Sequence, residues 1–284
     1  MIVFKSADTL KKHLFHQKDL GHTIGFVPTM GALHAGHISL IKASQSENDV
    51  NICSIFVNPT QFNDPKDFEK YPVTLEKDIE WLIKHETDIL FLPSVQEIYP
   101  DGTKNLPRFD LGTLELVLEG PTRPGHFQGV CQVMSRLLEM IIADNLYMGQ
   151  KDYQQCMVIK KLISIIGSKT ILHTCPTLRE KDGLAMSSRN TRLNEESRKK
   201  APAIYETLNF LRKNIQTGNL QALKDEGRRK LEQKGFKVDY VEIADANNLE
   251  LVNNYDGKQE LVGLIAAFIQ EVRLIDNMKL NIEN

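Results

Sequence analysis

Residues 28–37 read Pro-Thr-Met-Gly-Ala-Leu-His-Ala-Gly-His, and no other stretch of the chain gathers so much chemistry. His34 and His37 stand three residues apart, so on a helix their imidazoles face the same way. Gly31 and Gly36 permit close backbone approach, and a helix N-terminus offers N–H groups and a partial positive charge to whatever binds there. Two imidazoles and such a terminus on one face suit a triphosphate attacked at its α-phosphorus. A metal-binding histidine pair and a structural turn are the competing readings. The first would want a third ligand and a nearby carboxylate base, as in His-Glu-x-x-His, and the segment has neither. Neither G-x-x-x-x-G-K-[ST] nor G-x-G-x-x-G occurs in the chain.

Histidines so placed need a strand to deliver them and a helix to carry them. Apolar runs predict strands over 2–4, 23–27, 51–57, 88–92, 145–148 and 169–174, and apolar residues at i, i+3, i+4 predict helices over 7–18, 37–46, 75–84, 128–142 and 153–166. This alternation is that of a doubly wound, Rossmann-like parallel α/β sheet, in which ligands bind at the carboxyl ends of the strands. Segment 93–129, broken by Pro93, Pro100, Pro107, Pro121 and Pro124, fits the rhythm poorly, and loops of that length are usually functional. After Cys175 the pattern becomes helical (195–215, interrupted at Pro202, and 220–234), then strand-like over 237–244, 260–269 and a short 272–275. Asn194 is the expected N-cap of the first of these helices. Two domains are expected: a catalytic one over 1–175 and a smaller α+β one over 176–284 that closes over the site.

Composition narrows the function classes. The 284 residues are 41% hydrophobic and 25% charged, with 35 Lys+Arg against 37 Asp+Glu, which is globular and near neutral and argues against nucleic acid or an anionic membrane as the main partner. The longest apolar run, LVGLIAAFI, has nine residues, about half of the roughly 20 that cross a bilayer. No secretory signal is visible at the N-terminus, and the four cysteines (Cys53, Cys131, Cys156, Cys175) never form Cys-x-x-Cys, so buried thiols in a reducing cytoplasm are expected. The basic stretch 198–237 is interleaved with Glu206, Asp225, Glu226 and Glu232 at helical spacing and reads as a solvated face.

The His-x-Gly-His motif after a strand resembles the nucleotidylyltransferase superfamily, whose members make adenylates. Five blocks narrow the likeness: FVPTMGALHAGHISL (26–40), SIFVNPTQF (54–62), LEGPTRPGHFQGV (118–130), GQKDYQQ (149–155) and REKDGLAMSSRN (179–190). Together, in this order and across nearly the whole chain, they are similar to the pantothenate synthetase (pantoate–β-alanine ligase) family. The resemblance implies ATP-dependent condensation of pantoate with β-alanine through a pantoyl adenylate, releasing AMP and pyrophosphate. A nucleotidyltransferase that stops at adenylylation of a cofactor precursor is the nearest rival, and GQKDYQQ and SIFVNPTQF favour the ligase. No covalent enzyme intermediate is required, which agrees with the lack of an obvious nucleophile.

The same resemblance implies roles by position. ATP would be held by Met30, Gly31, Ala32, Leu33, His34, Ala35, Gly36 and His37, by Gly149, Gln150, Lys151 and Asp152, by Leu178 at the adenine, and by Met186, Ser187, Ser188 and Arg189. His37 matches the proton-donating catalytic residue, with His34, Lys151 and Arg189 beside it in the chemistry. Gln61 and Gln155 match the amides that bind pantoate, Gln61 also reaching β-alanine. Family members usually carry Glu where this chain has Gln150, a position expected to act through its backbone. Arg123 and His126 would belong to the site wall. Mg²⁺ is expected with the triphosphate, Asp78 being a candidate ligand. A cytoplasmic homodimer is also implied.

Overall fold

The computed structural model describes residues 1–62, 68–69 and 71–281. The chain divides into two compact units, Met1–Gly149 with Val158–Pro176, and Gln150–Met157 with Thr177–Asn284. Residues 150–157, which the sequence reading assigns to the first domain, pack with the second unit. Asn277 Nδ2 donates to the carbonyls of Gln150 and Lys151, and the Tyr153 hydroxyl donates to Ala246 O at 2.6 Å.

In the first unit β1 (Ile2–Phe4), β2 (Ile24–Thr29), β3 (Val50–Ile55), β4 (Ile89–Phe91), β5 (Asn145–Gly149) and β6 (Ile171–Cys175) form a parallel sheet in the order β1-β4-β3-β2-β5-β6. All six residues of β3 are buried, as expected of a strand covered on both faces. Between the strands run helices Ala7–Asp19, Ala35–Glu47, Leu75–Lys84, His126–Met140 and Tyr153–Ile165. Val27, Ile41, Cys53, Leu82, Leu90 and Tyr147 share one core cluster. Segment 93–129 holds only short helical pieces, Val95–Ile98, Gly112–Glu115 and Glu119–Thr122, before the helix that begins at His126.

A proline inside a central strand normally removes a ladder hydrogen bond. Pro28 is tolerated in β2 because pairing with β5 covers only Gly25 and Phe26, while β3 pairs as far as Thr29. The strand order reverses between β2 and β5, so the chain leaves β2 into residues 30–34 at the switch point where such sheets hold ligands.

The second unit carries β8 (Lys237–Asp245), β10 (Leu261–Ile269) and β11 (Val272–Lys279) as an antiparallel sheet in the order β11-β10-β8, with a short pair from β7 (Gly218–Asn219) and β9 (Asn254–Tyr255). Asn194 caps helix Glu195–Lys200 through the Ser197 N–H at 2.8 Å, and after Pro202 the chain restarts as helix Ala203–Asn214. Leu208, Leu211, Leu231, Val241, Ile243 and Ile265 lie in its core. The strand expected over 272–275 runs on to Lys279, because Asp276 and Asn277 are buried rather than turned to water. Among the described residues no helix is long and apolar enough to cross a membrane.

Candidate active site

The loop between β2 and helix Ala35–Glu47 is fixed by a nearly complete set of internal hydrogen bonds. Gly31 and then Ala32 take positive φ, 82° and 50°, and only the first of these is cheap for its residue type. The Gly31 N–H donates to Thr29 Oγ1 at 3.2 Å, and the N–H groups of Ala32 and Leu33 donate to Asp78 Oδ2 and Oδ1 at 2.9 and 2.8 Å. His34 is the N-cap of the helix. Its Nδ1 accepts the Gly36 N–H at 3.1 Å, while His37 Nδ1 accepts the His34 N–H at 3.3 Å, a reciprocal capping box built from imidazoles.

This arrangement alters the expected chemistry. The N–H groups of Ala32, Leu33, His34 and Gly36, which the helix terminus was expected to turn toward a ligand, are taken by protein side chains. A ring nitrogen that accepts an N–H carries no proton, so both neutral histidines are Nε2–H tautomers. The rings lie 4.1 Å apart, centroid to centroid. The loop therefore offers paired imidazole donors, held by the backbone, where a P-loop would offer amides.

Beside it sits the turn after β3. Asn58, 1% exposed, donates through Nδ2 to Gln61 Oε1 at 3.2 Å and to Gly129 O at 3.1 Å, and its Oδ1 accepts the Tyr99 hydroxyl at 2.8 Å. Gln61 Nε2 reaches Met30 Sδ at 2.8 Å, so the amide expected at pantoate touches the first residue of the loop expected at ATP. The imidazole of His126 bonds Gln61 O through Nδ1 at 2.8 Å, with the carbonyl as acceptor, so His126 supports the Gln61 backbone. Arg123 lies just past helix Glu119–Thr122, its N–H bonded to Glu119 O at 3.0 Å. Gly129 must lack a side chain, since a Cβ there would collide with the Thr60 carbonyl. Sequence reasoning passed over Asn58 and Tyr99 as site residues. An Asn before Pro at the close of a strand was the available signal, the pattern of a capped 3₁₀ turn.

In the second unit Lys151, Ser187, Arg189 and Asn190 line one open cleft with Tyr205 and Arg273. The Lys151 side chain is 15% exposed, with Nζ 3.4 Å from Asp152 Oδ1. Its turn is held from β11: Asn277 Nδ2 donates to the carbonyls of Gln150 and Lys151 at 2.9 and 2.8 Å, and Gln150 Nε2 donates to Asn277 Oδ1 at 3.3 Å. The preceding residue of β11, Asp276, takes a two-pronged ion pair from Arg179 at 2.6 and 3.0 Å, and Arg179 also donates to Gly183 O at 3.0 Å and lies 4.4 Å over the Tyr205 ring. Arg179 opens the block that carries Ser187-Ser188-Arg189, where Ser187 Oγ accepts the Arg189 N–H at 3.2 Å. The Leu178 carbonyl accepts the Met186 N–H at 3.0 Å, and the Leu178 side chain is exposed. Met186, Ser188 and Leu178 do not line the cleft. Gln155 is half-buried in the first turn of helix Tyr153–Ile165. Asp276 and Asn277 went unread in the sequence.

The candidate Mg²⁺ ligand does not fit that role. Asp78 is 3% exposed, both of its oxygens accept backbone N–H groups, and Oδ1 accepts the Thr74 hydroxyl as well at 3.2 Å. Among the described residues no three His, Cys, Asp or Glu side chains stand close enough to hold a metal ion. The thiols are free; burial pushes Cys53 and Cys131 up to about 12, which keeps them protonated and unreactive near neutrality.

Comparison with known proteins agrees with this geometry. The family model described as pantoate-beta-alanine ligase matches residues 2–279. The pantothenate synthetase of Cytophaga hutchinsonii is 44% identical over 98% of this chain and 99% of its own. The crystal structure of pantothenate synthetase from Thermus thermophilus superposes with a TM-score of 0.86 at 35% identity, covering 99% of each chain. That of the Francisella tularensis pantoate-beta-alanine ligase, complexed with beta-gamma ATP and beta-alanine, has a TM-score of 0.79 at 41% identity, covering 98% of this chain and 97% of that one. With nearly full-length identity above 40% added to the imidazole cap and the Asn58–Gln61 turn, the chain belongs to the pantoate–β-alanine ligase family, the enzymes that join pantoate to β-alanine.

Proposed function

We propose that this chain uses ATP to activate pantoate as its acyl adenylate and then transfers the acyl group to β-alanine. In the first step a pantoate carboxylate oxygen attacks the α-phosphorus and pyrophosphate leaves. In the second the β-alanine amine attacks the acyl carbon and AMP leaves. The observation that carries this reading is the pair of Nε2–H imidazoles whose loop is joined, through Met30 and Gln61, to an amide suited to a hydroxy acid. Negative charge builds on the α-phosphate oxygens during in-line attack, and fixed donors cost no reorganisation at that moment.

In this reading His37 and His34 donate to the phosphates, residues 30–37 and 149–152 enclose the nucleotide, and Lys151, Ser187, Ser188 and Arg189 hold the triphosphate and the leaving pyrophosphate. The Leu178 backbone meets the adenine, Met186 belongs to the same nucleotide-binding loop as Ser187, and Asp152 caps its helix or reaches the ribose. Gln61 and Gln155 bind pantoate, and Gln61 also meets β-alanine. Mg²⁺ enters on the triphosphate, and no step is assigned to a protein-held ion. A catalytic domain over 1–175 and a smaller one over 176–284 that closes over the ligands complete the proposal, in a cytoplasmic homodimer whose mass light scattering would measure. The deciding experiment is pantoate-dependent exchange of pyrophosphate into ATP without β-alanine. Exchange is expected, and folded protein that does not exchange refutes the adenylate route.

A further inference from the structure

We propose that Asp78 is a positioning residue for adenylation: its buried carboxylate ties down the backbone of Ala32 and Leu33, so that the loop meets the nucleotide with its imidazoles instead of its amides. The proposal rests on the reading above that residues 30–37 hold ATP.

Successive backbone N–H groups in a left-handed turn form a concavity that binds anions. Gly31 and Ala32, with φ of 82° and 50°, make such a turn, and the Asp78 carboxylate fills it, with one oxygen on the Ala32 N–H and the other on the Leu33 N–H at 2.9 and 2.8 Å. A non-glycine residue at positive φ persists only where its surroundings over-determine it, and for Ala32 the carboxylate supplies that constraint. Asp78 is itself well anchored. It lies in the first turn of helix Leu75–Lys84, where the terminus favours a carboxylate, its N–H donates to Thr74 O at 2.9 Å, and its Oδ1 accepts the Thr74 hydroxyl at 3.2 Å.

A carboxylate beside a polyanion site would ordinarily be read as a metal ligand or as an electrostatic fault. Here its charge is spent on two amides, a hydroxyl and a helix terminus, and it is 3% exposed. A phosphate group cannot settle into a concavity already occupied by a carboxylate. The nucleotide must then be met by the capped imidazoles of His34 and His37, further along the fixed loop.

The test compares Asp78→Asn with the parent enzyme. Asn keeps one acceptor but turns an amide N–H toward the second backbone donor, and a small displacement of positioned groups costs much in rate. Pantoate-dependent ATP–pyrophosphate exchange at saturating ATP should fall about 10- to 50-fold, while the Mg²⁺ concentration for half-maximal exchange stays within about twofold. The attack of β-alanine on adenylate formed beforehand in the site should also stay within about twofold, and the Ala32 and Leu33 amides should exchange hydrogen faster. If Asp78→Asn folds poorly, Thr74→Val, which removes a single hydrogen bond, should give the same pattern at about two- to fivefold. Exchange restored by raising Mg²⁺ would make Asp78 a ligand and overturn the proposal, as would unchanged exchange or an equal loss in both half-reactions. His37→Ala separates the premises. If it leaves exchange intact, the ATP reading of the loop falls; if it abolishes exchange while Asp78→Asn does not, only the positioning role falls.

Discussion

The loop at 30–37 and the cleft around Lys151, the two regions proposed above to meet phosphate, are built on opposite plans. In the first unit the donors are neutral imidazoles, fixed by backbone N–H groups that are themselves consumed in the fixing. In the second the donors are cations, Lys151 and Arg189: Asn277 holds the Lys151 turn, Asp276 holds Arg179, and the Arg189 turn is capped by Ser187 Oγ. Neutral, rigid donors discriminate charge that develops during a reaction, because they add little attraction for the ground-state polyanion. Cations attract the polyanion before, during and after reaction. On the function proposed above, this contrast favours the chemical step in the first region and retention of triphosphate and pyrophosphate in the second.

The strongest way to break that assignment is His37→Ala. Loss of one preorganised donor should slow adenylation by roughly 10²–10³, about 3–4 kcal/mol, with the melting temperature unchanged within about 2 °C. Single-turnover kinetics and calorimetry measure the two together, and unchanged kinetics would remove the loop from the chemistry. Next in size is Asp276→Ala, which strands Arg179 without its carboxylate partner. Removing one partner of a buried ion pair is costly, here about 3 kcal/mol of stability in the second unit because the Arg179 side chain is 18% exposed and partly relieved by water. Chemical denaturation should reveal it, and an unaltered midpoint would mean that Arg179 finds another partner. Gln61→Ala follows. An amide that binds a carboxylate contributes about 1.5–3 kcal/mol, so the pantoate KM should rise at least about tenfold, with the ATP KM changed less than about threefold. Equal losses would show that the Gln61–Met30 contact couples the two substrates.

Much of this was readable from the residues, and the part that was not has a physical reason. The strands of the parallel sheet announce themselves because burial on both faces demands apolar runs, as in Val50-Asn51-Ile52-Cys53-Ser54-Ile55. The His-x-Gly-His loop is legible because its groups lie within four residues. The supports of the site are not, since their partners are distant in the chain: Asp78 serves amides 45 and 46 residues away, and Asp276 and Asn277 serve groups 97 and 126 residues away. By local pattern the pair Asp276-Asn277 ends a strand, and only the tertiary partners Arg179 and the Gln150–Asp152 turn make it a strand interior. The amide donors at the start of helix Ala35–Glu47 were expected to face a ligand, because a sequence shows that a helix begins but not which side chain has already answered its N–H groups.

The smallest expected effect sharpens the comparison most finely. Gln150 stands where the family resemblance leads one to expect Glu, inside the turn that carries Lys151. Its side chain makes a long hydrogen bond to Asn277 Oδ1 at 3.3 Å, whereas its carbonyl and that of Lys151 accept Asn277 Nδ2 at 2.9 and 2.8 Å. If the turn is held by its backbone, Gln150→Ala should change the exchange rate by less than about twofold, since it removes only the weakest of the three contacts. Asn277→Ala removes all three and leaves two carbonyls short of a donor, so it should cost about tenfold in exchange and about 1–3 kcal/mol in stability. A Gln150→Ala variant as impaired as Asn277→Ala would assign the work to the side chain. The second region would then hold its cation through the Gln150–Asn277 side-chain pair rather than through the backbone carbonyls of the turn.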